Sequence, residues 1–112
     1  MNIQIFGTKK CSDTNKAIRF FKERSIPIHF VDLNEKAIAK GELTNICRSI
    51  PIDQLLDKDG KEYRKIGLEF MVYDLEEKLL EYPLLFRTPI TRNSQKSTVG
   101  YVPDVWKDWI KK

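Results

Sequence analysis

The sequence predicts a single α/β domain over residues 1–112, in which a βαβ unit and a ββα unit flank a helical segment. Three observations predict this arrangement. Alternating apolar and polar residues mark strands near both ends of the chain, and apolar residues at helical spacing follow them. Residues 34–83 are polar, with helical spacing and no strand pattern. We therefore expect residues 1–33 and 84–112 to form one core unit, with residues 34–83 as a helical insert.

The first unit begins with an alternating segment at residues 2–6, which predicts a strand. Ser12 and Asp13 are good helix N-cap types, so a helix is expected to start there and to end before Pro27. Three apolar residues are expected on its inner face: Ala17, Phe20 and Phe21. Residues 28–31 predict a second strand, parallel to the first and reached by a right-handed crossover.

The insert predicts two amphipathic helices. One covers about residues 40–50 and ends at Pro51. Its apolar stripe holds Leu43, Ile46, Cys47 and Ile50. A short turn is expected at residues 52–56. The second helix is capped by Asp74 and stopped by Pro83.

The last unit predicts a β-hairpin and a helix. Residues 89–92 and 97–101 are the expected strands, joined by a turn at residues 93–96. The helix covers about residues 104–111. Its expected sheet-facing stripe holds Val105, Trp106, Trp109 and Ile110. Base stacking on the two tryptophans would require basic neighbours on a sheet face, so packing is the favoured interpretation.

Composition argues against several classes of protein. With 41% hydrophobic and 32% charged residues, the chain is neither a disordered tail nor a coiled-coil rod. No apolar run approaches a membrane span, and the start lacks a secretory signal, so a cytoplasmic protein with free thiols is expected. Two cysteines, and His29 without a companion at metal-ligand spacing, predict no metal site.

The charge distribution bears on the partner. The formal net charge is +4, and no basic block exceeds two consecutive residues, so we expect no direct nucleic-acid binding. Both ends of the chain are net positive and the middle is net negative. This pattern favours a small anionic partner near the folded ends, although a modest excess of positive charge also serves solubility alone.

Cys11 is the candidate reactive residue. It lies after a strand and at the first turn of a helix, where free N–H groups and the helix dipole favour a thiolate. The hydroxyl of Thr14 can donate to the sulfur, whereas Asp13 acts against the thiolate. Three lysines add positive potential: Lys9, Lys10 and Lys16. The alternative is a small structural thiol at a loop–helix junction.

Motifs along the whole chain carry a family resemblance. They lie at residues 5–7, 10–14, 16–17, 63–68, 83–90 and 99–101, and include Lys10-Cys11-Ser12-Asp13-Thr14, Arg87-Thr88-Pro89-Ile90 and Val99-Gly100-Tyr101. With these motifs the chain resembles the glutaredoxin-coupled arsenate reductases and the Spx regulators. Both groups are branches of the thioredoxin-like proteins, so the resemblance implies a thioredoxin-like fold.

The resemblance also implies a site with a single thiol. Cys11 would be the nucleophile, with its thiolate stabilised by three neighbours: Lys10, Ser12 and Thr14. Arg87 would hold an oxyanion, since its N–H groups bind two oxygens at once, and Lys16 would assist in binding the anion or thiol substrate. Pro89 would be a cis-proline that brings the Thr88 backbone beside the sulfur. Taken alone, Arg87 could equally be a solvated charge at a strand end.

Three positions depart from the family pattern. Arsenate reductases of this type use three arginines, but Asp57 and Tyr101 stand at two of those positions. A carboxylate at an arsenate-gripping position argues against efficient arsenate reduction. Thr14 replaces the second cysteine of the Spx dithiol, so the Cys-x-x-Cys redox switch is absent.

These features predict a thiol oxidoreductase resembling the arsenate reductases, with no tightly bound cofactor. Glutathione, a glutaredoxin or a thioredoxin would resolve the adduct on Cys11. Cys47 is expected in the core, with a resolving role as the alternative. The rival hypothesis is an Spx-like regulator that binds RNA polymerase without a switch. A strong pH dependence of thiol reactivity near neutrality would favour the enzyme.

Overall fold

Four strands form one mixed sheet in the computed structural model, which describes residues 1–111. The strands are β1 (Ile3–Gly7), β2 (Ile28–Asp32), β3 (Ile90–Asn93) and β4 (Lys96–Val99). Their spatial order is β2-β1-β3-β4. β1 and β2 are parallel, whereas β3 is antiparallel to both β1 and β4. The predicted βαβ and ββα units are confirmed.

The register of β1 against β3 positions the site. Phe6 pairs with Ile90, so the chain leaving β1 and the chain entering β3 meet at the same end of the sheet. The first of these segments leads through Gly7 to Cys11, and the second is formed by residues 87–89. The sheet therefore brings together two segments that are far apart in sequence.

Helices cover both faces of the sheet. They are α1 (Ser12–Glu23), α2 (Lys40–Ile46), α3 (Lys61–Ile66), α4 (Leu75–Glu81) and α5 (Pro103–Ile110). One buried cluster joins β1 to α1 and α5: Ile3, Ile5, Ala17, Phe20, Phe21 and Trp106. The other face carries the insert, whose buried Leu43, Ile46 and Leu79 pack in one cluster with Phe6 and Ile90. None of the helices within residues 1–111 is long and apolar enough to cross a membrane.

Three details of the prediction are wrong. The helix α1 begins at Ser12, as expected, but its N-cap is Cys11 and not Ser12 or Asp13, because a turn that bonds the Cys11 N–H to the Thr8 carbonyl leads directly into the helix. α2 ends at Ile46 and continues as turns towards Pro51, which disfavours helical geometry just before it. Val105, which was expected on the sheet-facing stripe of α5, is 40% exposed, whereas Trp106 of the same stripe is fully buried.

Other details are confirmed. The side chain of Asp74 caps α4 by accepting the Glu77 N–H at 3.1 Å. The predicted turn after Pro51 is a 3-10 helix, Ile52–Leu55, and two more such turns occur at Leu68–Phe70 and Pro83–Leu85. The helix α3 was not predicted as a separate element, since it contributes no fully buried residue that would mark an apolar stripe.

Gly7 ends β1 at a close approach to α1. It is buried, and a Cβ atom built on it would lie 2.6 Å from Cγ2 of Thr14. Thr14 is itself fully buried, so it has little space to move away. The absence of a side chain at residue 7 therefore lets the first turn of α1 pack directly against the end of β1.

We expect Gly7→Ala to lower the free energy of unfolding by about 1–3 kcal/mol, the usual cost of overpacking. Gly41→Ala is the matched control, because a Cβ there meets nothing within 4 Å. Gly41 lies in α2, so alanine should stabilise the fold by up to about 1 kcal/mol. Urea unfolding followed by circular dichroism measures both changes. Equal effects of the two substitutions would contradict the packing argument.

Candidate functional site

The sulfur of Cys11 occupies a helix-capping position. Cys11 has extended backbone angles, φ −78° and ψ 117°, and its carbonyl accepts the Asn15 N–H at 3.1 Å. A side chain at the N-cap faces the free N–H groups of the second and third helical residues. In α1 these residues are Asp13 and Thr14. The thiol therefore lies where a serine or aspartate oxygen usually satisfies the start of a helix.

Thr88 contacts the sulfur from the other half of the chain. Its hydroxyl donates a hydrogen bond to Sγ of Cys11 at 3.0 Å, and its carbonyl lies 3.8 Å from the same sulfur. The Thr88–Pro89 peptide bond is cis, as expected. Sequence reasoning placed the Thr88 backbone beside the sulfur but missed the hydroxyl. No local signal marks that role, because the contact spans 77 positions in sequence.

Hydrogen bonding lowers the pKa of the Cys11 thiol. Partial burial acts in the opposite direction and is the largest single influence, since it disfavours the charged thiolate. Four donors together outweigh it: the hydroxyls of Thr14 and Thr88 and the backbone N–H groups of Asp13 and Thr14. The three nearby lysines are not among the causes of the lower pKa. The thiolate is therefore favoured by neutral dipoles.

The hydroxyl of Thr14 can donate a hydrogen bond to the Cys11 thiolate. Thr14 is fully buried, and its hydroxyl has no hydrogen-bond partner within residues 1–111. A buried hydroxyl without a partner costs free energy. Loss of the Cys11 proton makes the sulfur a stronger acceptor beside this hydroxyl, so a hydrogen bond from Thr14 favours the thiolate and lowers the pKa of Cys11.

The insert is fastened to the segment that carries Arg87. Leu56 and Phe86 form an isolated antiparallel bridge. The Arg87 N–H donates to the Leu55 carbonyl at 2.7 Å, and the Asp57 N–H donates to the Leu85 carbonyl at 2.9 Å. This bridge brings Asp57 of the insert into the same cleft as Arg87 and Cys11.

That cleft, which we call the thiol cleft, has a volume of about 320 Å³. Its lining is Cys11, Asp13, Asp57, Asp59, Arg87, Thr88, Val99 and Gly100. It thus holds three carboxylates and one guanidinium, and no carboxylate lies within ion-pair distance of Arg87 in residues 1–111. The balance of charge around the sulfur is negative. The sequence indicated Asp13 and Asp57 near Cys11, whereas it gave no signal for Asp59.

The remaining predicted residues lie outside the thiol cleft. Ser12 and Lys10 are exposed and do not line it. Lys16 lines a neighbouring cleft together with Tyr101, whose ring centroid is 5.7 Å from its Nζ. The roles assigned to these side chains by resemblance stay predictions. Pro89 is buried and lies directly before β3, whose first residue, Ile90, pairs with β1.

Cys47 has a different environment. It is half-buried at the end of α2 and packs against the insert cluster. Burial raises the pKa of its thiol, and the carboxylate of Glu76 raises it further. Cys47 is therefore the less nucleophilic of the two thiols near neutral pH.

A larger cleft of about 460 Å³ lies at the opposite end of β1, around Asn2 and His29. Neither cysteine lines it, so thiol chemistry points to the smaller thiol cleft. Within residues 1–111, no three His, Cys, Asp or Glu side chains are grouped so that they could hold a metal ion.

Known proteins are similar to this chain over most of its length. The sequence model of the ArsC family matches residues 6–109. Global transcriptional regulator Spx 2 of Oceanobacillus iheyensis is 28% identical over 109 residues, covering 93% of this chain and 80% of its own.

Two solved structures show the fold. An arsenate reductase from Vibrio cholerae superposes with a TM-score of 0.81 at 17% identity, covering 96% of this chain and 97% of its own. A glutaredoxin from Archaeoglobus fulgidus superposes with a TM-score of 0.51 at 14% identity, covering 98% of this chain and 86% of its own. The thioredoxin-like fold is confirmed.

We expect Cys11 to be alkylated faster than Cys47. The midpoint of its pH–rate profile should lie below ~8.5, the unperturbed pKa of a thiol. Its rate should rise with pH as the thiolate forms, and level off sooner than that of Cys47, whose pKa is raised. Iodoacetamide rates from about pH 5 to 10 in Cys47→Ser and Cys11→Ser measure this. Thr88→Val should move the Cys11 midpoint upwards. A midpoint at or above ~8.5 in Cys47→Ser would refute the lowered pKa.

Proposed function

This chain belongs to the ArsC family, and on that premise we propose that it is a thiol oxidoreductase with Cys11 as its single nucleophile. One observation carries the proposal. The Cys11 sulfur lies at the N-cap of α1, beside two backbone N–H groups, and also accepts a hydrogen bond from the Thr88 hydroxyl. These donors favour a thiolate, which is the reactive form of cysteine.

The reaction we propose is thiol–disulfide exchange. The Cys11 thiolate attacks one sulfur of a disulfide, so that a bond forms between Cys11 and that sulfur while the original sulfur–sulfur bond breaks. The departing sulfur leaves as a thiolate and takes a proton from water. A second thiol, for which we propose glutathione or the thiol of a glutaredoxin or thioredoxin, then attacks the mixed disulfide and releases Cys11.

An external resolving thiol suits this chain. The other cysteine, Cys47, packs against the insert cluster and has a raised pKa, so its thiolate is scarce near neutral pH. Thr14 stands where a dithiol site would have its second cysteine. The chain therefore depends on a thiol from outside to complete the exchange.

The charge of the thiol cleft argues against arsenate as the main substrate. Arsenate is an oxyanion, and it would meet three carboxylates, from Asp13, Asp57 and Asp59, with only Arg87 to oppose them. Like charges at close range repel by about 1 kcal/mol or more even in water. The sulfurs of a disulfide carry no charge, so the reacting atoms themselves avoid this cost.

A second candidate function rests on the relative from Oceanobacillus iheyensis, which is named a global transcriptional regulator. We propose as the alternative that this chain acts as an Spx-like protein that contacts RNA polymerase. Such a binder would lack the dithiol switch, because Thr14 replaces the second cysteine. It would not need a thiolate at Cys11, so thiol reactivity separates the two functions.

Glutathione disulfide is expected to add one glutathione to the chain, on Cys11, by the exchange described above. Cys11→Ser should abolish the adduct, whereas Cys47→Ser should retain it. Intact-mass spectrometry with peptide mapping detects the adduct, and a glutaredoxin with glutathione should remove it. The absence of any adduct on Cys11 in Cys47→Ser would favour the regulator over the enzyme.

Arsenate reduction, assayed with glutathione and glutaredoxin, should be weak in the wild-type chain. Asp57→Arg should increase it at least tenfold, because a charge-assisted contact contributes about 1.5–3 kcal/mol. Asp53→Arg is the matched control: Asp53 is exposed and does not line the thiol cleft. Rapid turnover by the wild-type chain, or an equal effect of both substitutions, would contradict the argument from charge.

A further inference from the structure

A second cleft runs between α1 and α5, beside the thiol cleft. Its volume is about 450 Å³, and we call it the basic groove. The side chains that define it are Lys16, Arg19, Arg24, Lys107, Tyr101 and Glu23. Four cations thus face one carboxylate, the reverse of the charge balance around Cys11.

These cations are available to a ligand. Arg19, Arg24 and Lys107 form no ion pair within residues 1–111, and the Nζ of Lys16 is 4.0 Å from a carboxylate oxygen of exposed Asp13. Surface pairs of this kind contribute little, so a ligand loses little by displacing the contact.

Arg24 is held in place before any ligand binds. Its guanidinium lies 3.8 Å from the ring centroid of Phe20 and donates to the Phe20 carbonyl at 3.0 Å. Phe20 is buried in the core, so this cation rests on a fixed support. A preorganised guanidinium costs less entropy to engage than a free side chain.

The basic groove adjoins the thiol cleft. Gly100 lines the thiol cleft and Tyr101 lines the groove; Gly100 has φ +85°, a left-handed conformation that favours glycine at the junction. α1 joins the two clefts as well, since Cys11 caps it and Arg19 lies about 12 Å further along its axis. An extended peptide spans that distance with roughly four residues.

We propose that the basic groove binds the acidic segment of a polypeptide whose disulfide exchanges with Cys11. This inference rests on the proposed function and names the substrate class of the same site. The acidic segment lies against Arg19, Arg24 and Lys107, and neutral or basic residues flank the disulfide at the thiol cleft. The exchange itself consumes no electrons: Cys11 forms one sulfur–sulfur bond, the substrate loses one, and a thiol reductant later releases Cys11.

The two clefts together favour a polypeptide over a nucleic acid. A nucleic acid is negatively charged along its whole length, so a strand that extends from the groove to Cys11 would meet Asp13, Asp57 and Asp59. A polypeptide can place its acidic residues on one side only. Four cations also form a short patch compared with the basic faces of nucleic-acid-binding proteins.

The first test measures exchange rates. A peptide carrying a cysteine as its 2-thiopyridyl disulfide is made with four glutamates beginning about four residues from the cysteine, and a matched peptide carries glutamines instead. At low salt, the wild-type chain should react roughly tenfold faster with the acidic peptide, the scale of electrostatic steering. Arg19→Glu/Lys107→Glu should abolish or reverse this ratio. Arg48→Glu, an exposed site of the insert, should retain the ratio.

The second test reports groove binding without thiol chemistry. The acidic peptide with serine in place of its cysteine is labelled, and its fluorescence anisotropy is measured against each variant. Binding by the wild-type chain that is lost in Arg19→Glu/Lys107→Glu supports the groove, even if Cys11 is unreactive. Reaction of Cys11 with neutral bis(2-hydroxyethyl) disulfide separately tests the proposed function. Equal anisotropy for the glutamate and glutamine peptides, or tighter binding of a single-stranded oligonucleotide, would overturn the proposal.

Discussion

The hydrogen bond from the Thr88 hydroxyl to the sulfur of Cys11 joins the two halves of the chain at the site. It exists only because β1 and β3 pair with Phe6 opposite Ile90, which places the loop after β1 beside the segment that precedes β3. Disrupting that register would separate the thiol from one of its four donors. The lowered pKa of Cys11 therefore depends on the long-range strand pairing as well as on the local helix start.

Much of this architecture could be predicted from local patterns. Alternating residues marked β1 and β2, and helical spacing marked Phe20 and Phe21, because burial on one face leaves a periodic signature. The N-cap could not be assigned in the same way. Cysteine, serine and aspartate stand in succession at residues 11–13, and the N-cap among them is set by a turn that bonds Cys11 to Thr8.

The site was predictable only in part, and the reason is again physical. The position of Cys11 follows from its neighbours in sequence, whereas two of the three carboxylates around it come from a distant segment. Asp57 and Asp59 belong to the insert, and they reach the thiol cleft through the Leu56–Phe86 bridge. The exposed lysines near Cys11 suggested a positive site, but their long side chains extend into solvent, as at Lys10, or towards the groove, as at Lys16.

The structure thus separates the donors that lower the pKa of Cys11 from the cations of the basic groove. Hydrogen bonds from neutral donors act over about 3 Å and are little affected by salt, so they favour the Cys11 thiolate in any ionic medium. The cations of the basic groove act over about 8–10 Å and are screened as salt rises. A substrate held there would be delivered to a thiol whose pKa is lowered by donors that are independent of the substrate's own charge. A thiolate made reactive by lysines would lose that independence, because each anionic ligand would neutralise the charges that sustain it.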